Sequence, residues 1–470
     1  MLPDNVLLEI FNVYRSINPP YLTRIQWWTL PVHVCQRWRQ IIFQSPHRLN
    51  LQIRCPRRTP LKEYLSIWPA FPIVIDYVTK NAGPLHKPNI MAALEYPDRV
   101  CSVSLTLLDK SRSHLENIVT AMQKPFPLLT HLNIFLHPGD GNTPVIPAKF
   151  LGGFAPRLQE IHFSGSIPYP ALPTLLLSTT DLVELSTFSI PPTGYISPEA
   201  IVASLAALPR LKTLTFGFQL ATSRPDRILP PPLTRTVLPA LTYFQFKGAS
   251  EYLEDLVARI DGPQLNQIVI TYLNQVIDFQ VVRFSNFIDR TVGPEIALFK
   301  HARFTFSYHT AAFTMYPHAN HSPWDRRPAT TIISCQRIDW QVSHIAQVLS
   351  HLSAKLSNVV HLKLKVEYGD ISQSDGADDV EWLRLLQQFS ALQTLHVSQG
   401  LARHVALALE GIEGEMVDDV LPSLNLIRVV GQPASSIKKF IAARQLSGRP
   451  ITVIDTEAEF DERLESYVSE

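Results

Sequence analysis

His318-Ala319-Asn320-His321, with His309 upstream and Asp325 downstream, comes nearest in this chain to the spacing of a metal site. Two imidazoles three residues apart can share a zinc ion when cysteine or carboxylate completes the shell. Here the stretch bears a proline, has only Asp325 as an acidic neighbour and lacks cysteine, so a surface loop is expected. Asp375, Asp378 and Asp379 are oxygen ligands of the kind calcium takes. They lead into a helix at Val380, where acids simply favour the positive end of the helix dipole. Arg54, Arg57 and Arg58, flanked by prolines, read either as a solvated loop or as a contact for phosphate or an acidic partner.

Catalytic signatures are absent from the sequence: there is no GxxxxGK, GxGxxG, GxSxG or HExxH. No nucleophile, base and orienting group arrive together in a recognisable motif, so no enzyme activity and no cofactor are expected.

The strongest pattern is a short phrase with apolar residues at relative positions 0, +3 and +5. It returns at Leu129, Leu132, Ile134; at Leu158, Ile161, Phe163; and at Leu211, Leu214, Phe216. Further copies begin at Leu241, Leu265, Val359, Leu392 and Leu424, with weaker ones at Leu182 and Phe299. The wide gap between Phe299 and Val359 is expected to hide a copy near Thr331 to Ile338. Positions +3 and +5 share one face of a strand, so each phrase is a strand with one apolar side. Helical stretches follow at Ala200 to Leu208, Glu251 to Ile260, Trp340 to Leu356 and Asp378 to Phe389, and the Ser197-Pro198 pair suits a helix start. Strand then helix at a recurring interval means stacked units.

Positions +2 and +4 must then point away from the core. The +4 column is nearly neutral in the first half: Asn133, His162, Ser186, Thr215, Gln245. In the second half it reads Arg303, Lys363, His396, Arg428, with His301 and His361 at +2. A rigid row of arginine and lysine favours carboxylate and phosphate, so Arg303, Lys363, His396 and Arg428 are the candidate client-binding residues for an acidic or phosphorylated segment. An ordinary solubilising face is the other reading of the same column.

At the start of the chain Pro3 and Asp4 suit the first turn of a helix, and Val6, Leu7, Ile10, Phe11 and Tyr14 form its apolar stripe. A second short helix is expected through Leu22, Ile25 and Trp28. A third is expected through Val34, Cys35, Trp38, Ile41 and Ile42, with Cys35 on its buried face and Ser45-Pro46 as its end. Helices this short bury little surface alone, so a partner is expected.

Leu2-Pro3 with Leu7 and Ile10-Phe11, followed by Val34-Cys35 and Arg37-Trp38-Arg39, resembles the F-box family. The resemblance implies a partner, the Skp-type adaptor, and through it a cullin-RING ubiquitin ligase. It makes Leu2, Pro3, Val6, Leu7, Ile10, Phe11, Val34, Trp38 and Ile42 the candidates for adaptor contact or module core, without dividing the two roles. The repeated phrase resembles the LxxLxL of leucine-rich repeats, although the asparagine or cysteine that usually follows is mostly missing, as at Thr215-Phe216-Gly217. The fold class expected is α/β: a small N-terminal helical F-box-like module, then an irregular leucine-rich-repeat-like solenoid.

The expected divisions are an F-box-like module over 1–48, a joint over 49–97, the repeats over 98–455 and an acidic tail or cap helix over 456–470. The resemblances together imply a substrate-recognition adaptor that holds an unknown client protein near a ubiquitin-charged enzyme. A repeat scaffold with the first helices as an end cap, and no ubiquitin role, is the alternative.

A net charge of +1 gives no global field toward nucleic acid or an anionic membrane, and neither is expected as a partner. Cys35, Cys55, Cys101 and Cys335 are scattered without a disulfide framework, which suits a reducing compartment. No run reaches the roughly 18 apolar residues of a membrane span. Met1 stands directly before the helical motif, with no room for a signal peptide. A cytoplasmic or nuclear protein is expected.

Overall fold

The computed structural model describes residues 2–17, 26–79, 85–108, 112–137, 144–220, 234–273, 281–291, 299–307, 310–316, 329–334, 338–352, 356–367, 379–410, 420–429 and 437–455. The chain divides into two compact units, Met1–Ile196 with Ala203–Leu211, and Ser197–Val202 with Lys212–Glu470.

The first unit opens with α1, Asp4–Ile17; a 3₁₀ turn at Pro31–His33 and α2, Gln36–Gln44, follow among the described residues, while Leu22 and Ile25 of the expected second helix lie outside them. Proline at the start of the 3₁₀ turn is preorganised for it. Cys35 does not lie on a buried helix face: it precedes α2 in extended conformation, and its exposed sulfur accepts a hydrogen bond from the Trp38 amide at 3.4 Å. It is a cap, because the amides of a first turn need acceptors from outside the helix. Arg37 ties the two helices together, its guanidinium reaching the Asp4 carboxylate and the Leu2 carbonyl (2.6 Å).

Leu7, Phe11, Trp28, Val32, Ile41 and Ile42 form the centre of this module. Its core runs on into Leu49, Leu51, Ile53 and Phe71, so the helices are packed against the chain that follows them. Trp28 stacks edge-on against Trp68 and Phe71, with centroids 4.9 and 5.6 Å apart, and its indole donates to the Gln52 carbonyl at 3.1 Å. An indole buried this deeply needs such an acceptor.

The stretch expected as a joint is itself built of repeat parts. It holds β1 (Ile53–Arg54), a helix at Leu61–Ile67, β2 (Ile73–Val78) and a helix at His86–Ala93. Buried Asn89 stitches it: its amide donates to the Pro56 and Thr59 carbonyls at 2.7 and 2.8 Å and accepts from the Leu61 amide at 2.8 Å. Then come β3 (Val100–Leu107), β4 (His131–Leu136), β5 (Glu160–Ser164) and β6 (Glu184–Ile190). β1 to β6 pair in sequence order, each parallel to the next. Strands joined in that way require crossover segments, and the helices and turns between them supply these.

The second unit contains β7 (Thr213–Phe218), β8 (Thr236–Val237), β9 (Tyr243–Gly248), β10 (Ile260–Asp261), β11 (Gln267–Leu273) and β12 (His301–Phe306). β13 (Thr310–Tyr316), β14 (Ala329–Ser334), β15 (His361–Val366), β16 (Thr394–Val397), β17 (Leu426–Val429) and β18 (Thr452–Asp455) follow. The order across the main sheet is β7, β9, β11, β14, β13, β12, β15, β16, β17, β18, while β8 and β10 form a small parallel pair of their own.

Every repeat phrase is buried where the spacing places it, including Thr187 and Ala302 in the weaker copies. The pattern breaks between Phe299 and Val359. β14 overlaps the stretch near Thr331 where a hidden copy is expected and pairs parallel with β11, but one copy does not fill the gap: β13 runs antiparallel between β12 and β14. The short connection of Ser307 to Thr310 leaves no length for a crossover, so the chain must turn back on itself. The expected helices appear at Pro198–Leu205, Ser250–Val257, Ile338–Ser350 and Asp379–Gln387, the first capped by Ser197, which accepts from the Ala200 amide at 3.3 Å. A leucine-rich-repeat-like α/β architecture, with strands and helices alternating about an apolar layer, is therefore what each unit contains.

Candidate functional site

The nine residues singled out in the first helices separate into two groups. Leu7, Phe11 and Ile42 are buried in the module, and Trp38 packs edge-on against Phe11 with centroids 5.1 Å apart. Leu2, Pro3, Val6, Ile10 and Val34 face out. The outer group is larger than the residues singled out: Val13 and Ile17 continue the line down α1, at 57% and 71% exposure, and Leu30 is exposed at 59% near Val34 in the chain.

Positions 6, 10, 13 and 17 recur at steps of three and four, with Leu2 just ahead of the helix, so α1 carries two apolar faces, one inward and one outward. Soluble chains scatter single exposed apolar side chains, but a continuous helical stripe is a binding feature. The spacing of Val13 and Ile17 after Ile10 was the signal for them.

In the second unit, register brings the cationic column into one row. Arg303 pairs with Lys363, Lys363 with His396, and His396 with Arg428 across β12, β15, β16 and β17. One row along, His301 stands opposite both Tyr316 and His361, with its ring stacked on theirs at 5.6 and 4.6 Å. Arg303 also lies over the Tyr316 ring, 5.7 Å from its centroid, which the sequence had not marked because β13 was unforeseen.

The Nε atoms of Arg303 and Arg428 are buried, without a hydrogen-bond partner among the described residues. Burial first, then Arg428, Lys363 and His361, push the His396 pKa down to about 4. Burial and Arg428 hold His361 below the ordinary histidine range. Both histidines therefore sit neutral among fixed positive charges.

The strand face of the first unit differs in kind. His131 lies 3.6 Å from Glu160, and His162 lies 3.9 Å from Glu160 and 3.8 Å from Glu184. Acids and imidazoles alternate there.

Arg54 of the basic cluster reaches Asp76 at 3.4 Å on the neighbouring strand. His309, His318, His321, Asp325, Asp375, Asp378 and the tail 456–470 lie outside the described residues, while Asp379 opens the helix Asp379–Gln387. Among the described residues no group of three histidine, cysteine or acidic side chains is placed to hold a metal ion. No helix among them is long and apolar enough to cross a membrane.

No family model matches this chain, and no curated protein matches it. A solved structure, the leucine-rich repeat-containing protein LegL7 from Legionella pneumophila, aligns with 86% of this chain and 99% of its own length, at 15% identity and a TM-score of 0.26.

Proposed function

We propose that this protein is a non-catalytic substrate-recognition adaptor of a Skp-cullin-F-box type ubiquitin ligase. In this reading the outward face of α1 with Val34 binds the Skp-type adaptor, and the cationic strand face of the second unit binds a client protein. The observation that carries it is the exposed helix face Val6, Ile10, Val13 and Ile17, with exposed Leu2 just ahead of it. Amphipathic helices use such faces to dock into apolar grooves. The mechanism is proximity: holding two proteins on one chain raises the effective concentration of one toward the other.

Co-purification of the full chain with the Skp-type adaptor tests this. Capture that is lost in Ile10→Asp and Val34→Asp, with thermal stability retained, supports the reading; no capture by the wild-type chain overturns it. A second reading has its own observation. The module core is continuous with Leu49, Leu51, Ile53 and Phe71, as an end cap on the first strand requires. A repeat scaffold without a ubiquitin role follows if the adaptor is ignored.

A further inference from the structure

The row Arg303, Lys363, His396, Arg428 interleaves a neutral histidine with permanent cations, and His361 adds a second imidazole beside it. Two buried guanidinium Nε atoms in the same row lack acceptors among the described residues. A buried donor left unmet is costly, and more so where charge is involved, so the row gains from an oxygen-rich ligand. Arginine forks fit carboxylate, phosphate and sulfate oxygens, and the stacked rings of Tyr316, His301 and His361 give that ligand a flat bed alongside.

An anion seated on the row changes the balance around the histidines. His396 faces Lys363 and His361 on β15 and Arg428 on β17. His361 faces His301 on β12 and Thr394 on β16, with Arg428 near enough to act on it. The charged groups acting on the two imidazoles, among the described residues, are cations. A bound anion offsets their repulsion, so the charged form of each imidazole becomes easier to reach. By linkage, a ligand that raises a pKa binds with proton uptake, and the proton in turn favours the ligand.

We propose that docking of an acidic, phosphorylated or sulfated protein segment on this face is coupled to proton uptake by His361 and His396, so that the segment is held more tightly as the pH falls. This rests on the client-binding reading of the same face. The direction follows from the free state: both imidazoles are neutral before binding, and protons join the complex between the free and the bound pKa. Affinity therefore rises as the pH falls through the bound pKa and levels off below the free one. A protein segment is favoured over a nucleic acid because the net charge of the chain is +1 and the cations form one short row.

The test is calorimetric titration of the full chain with a short aspartate-rich peptide carrying one sulfotyrosine. Sulfate has no ionisation in the working range, whereas phosphate has one near pH 6 that works against the expected trend. The expected result is binding that tightens about 3- to 10-fold between pH 8 and pH 6, with proton uptake seen as a dependence of the heat on the buffer. His396→Gln and, independently, His361→Gln each flatten that pH dependence. A phosphoserine peptide should bind with a weaker pH dependence.

Binding at one affinity across this range, or without proton uptake, overturns the coupling and leaves the client reading standing. No binding of either peptide, or binding untouched in Arg303→Glu with Arg428→Glu, removes the client reading and the coupling with it. An oligonucleotide bound as tightly as the peptides overturns the assignment to a protein segment. None of these outcomes bears on capture of the Skp-type adaptor, which is read separately.

Discussion

Gly165, just past β5, has φ +92°, and a Cβ placed there would stand 1.8 Å from the carbonyl oxygen of Leu136 on β4. That approach is backbone against backbone, which no rotamer change relieves, and the φ is one that L residues rarely adopt. Gly165→Ala should therefore cost more than about 3 kcal/mol, measured by chemical denaturation of the full chain. His396 makes a second prediction at this scale. Its pKa is about 4 in the fold and ordinary in the unfolded chain, so the unfolded chain binds the proton first as the pH drops. The stability it contributes is present above about pH 6.5 and is lost as the pH falls toward 4. After discounting for its partial exposure, His396→Gln should recover about 1 kcal/mol at the acid end and nothing at neutral pH. An acid-denaturation midpoint unmoved by the substitution would contradict this. The sequence placed His396 in its column through the +4 spacing, but its neutrality depends on strand register, which brings Lys363 and Arg428 to either side.

Helix α1 shows what a single element reveals in its residues and what it withholds. Its apolar positions were legible from periodicity, yet Leu7 and Phe11 face the module core while Val6 and Ile10, one residue earlier in each case, face out. A stripe broad enough to cover both faces has no internal mark of which side is covered; the packing of Trp38 and Ile42 decides it. The expected consequence is a clean separation of effects. Phe11→Ala should destabilise the chain by about 3–5 kcal/mol in thermal unfolding. Ile10→Asp should shift stability by about 0.5 kcal/mol or less while lowering Skp-type adaptor capture at least about tenfold. The strands were more transparent. The +3 and +5 positions of their phrase follow from side-chain alternation, and Val100, Val103 and Leu105 of β3 fit the 0, +3, +5 spacing too, all buried. β13 was hidden because its antiparallel direction comes from a short turn and not from any change in apolar pattern: Ala311, Phe313 and Met315 alternate like the rest.

Across the whole molecule, the two candidate surfaces belong to different compact units, the α1 face to the first and the cationic row to the second. A proximity mechanism makes a demand on such an arrangement that a simple scaffold does not. Each surface should bind its own partner without the other, yet transfer of ubiquitin to a client should need both at once. Charge reversal at Arg303, Lys363 and Arg428 should abolish capture of an acidic client and leave Skp-type adaptor capture intact. Ile10→Asp with Val34→Asp should do the opposite. Either set alone should bring client ubiquitination in a reconstituted ligase down to background, and combining them should add nothing further, since a product of two required bindings is already zero when one is lost. Ubiquitination that survives loss of the cationic row would place the client elsewhere on the chain. Client capture that disappears with the α1 substitutions would mean that the outward stripe serves the second unit's partner and not a ligase.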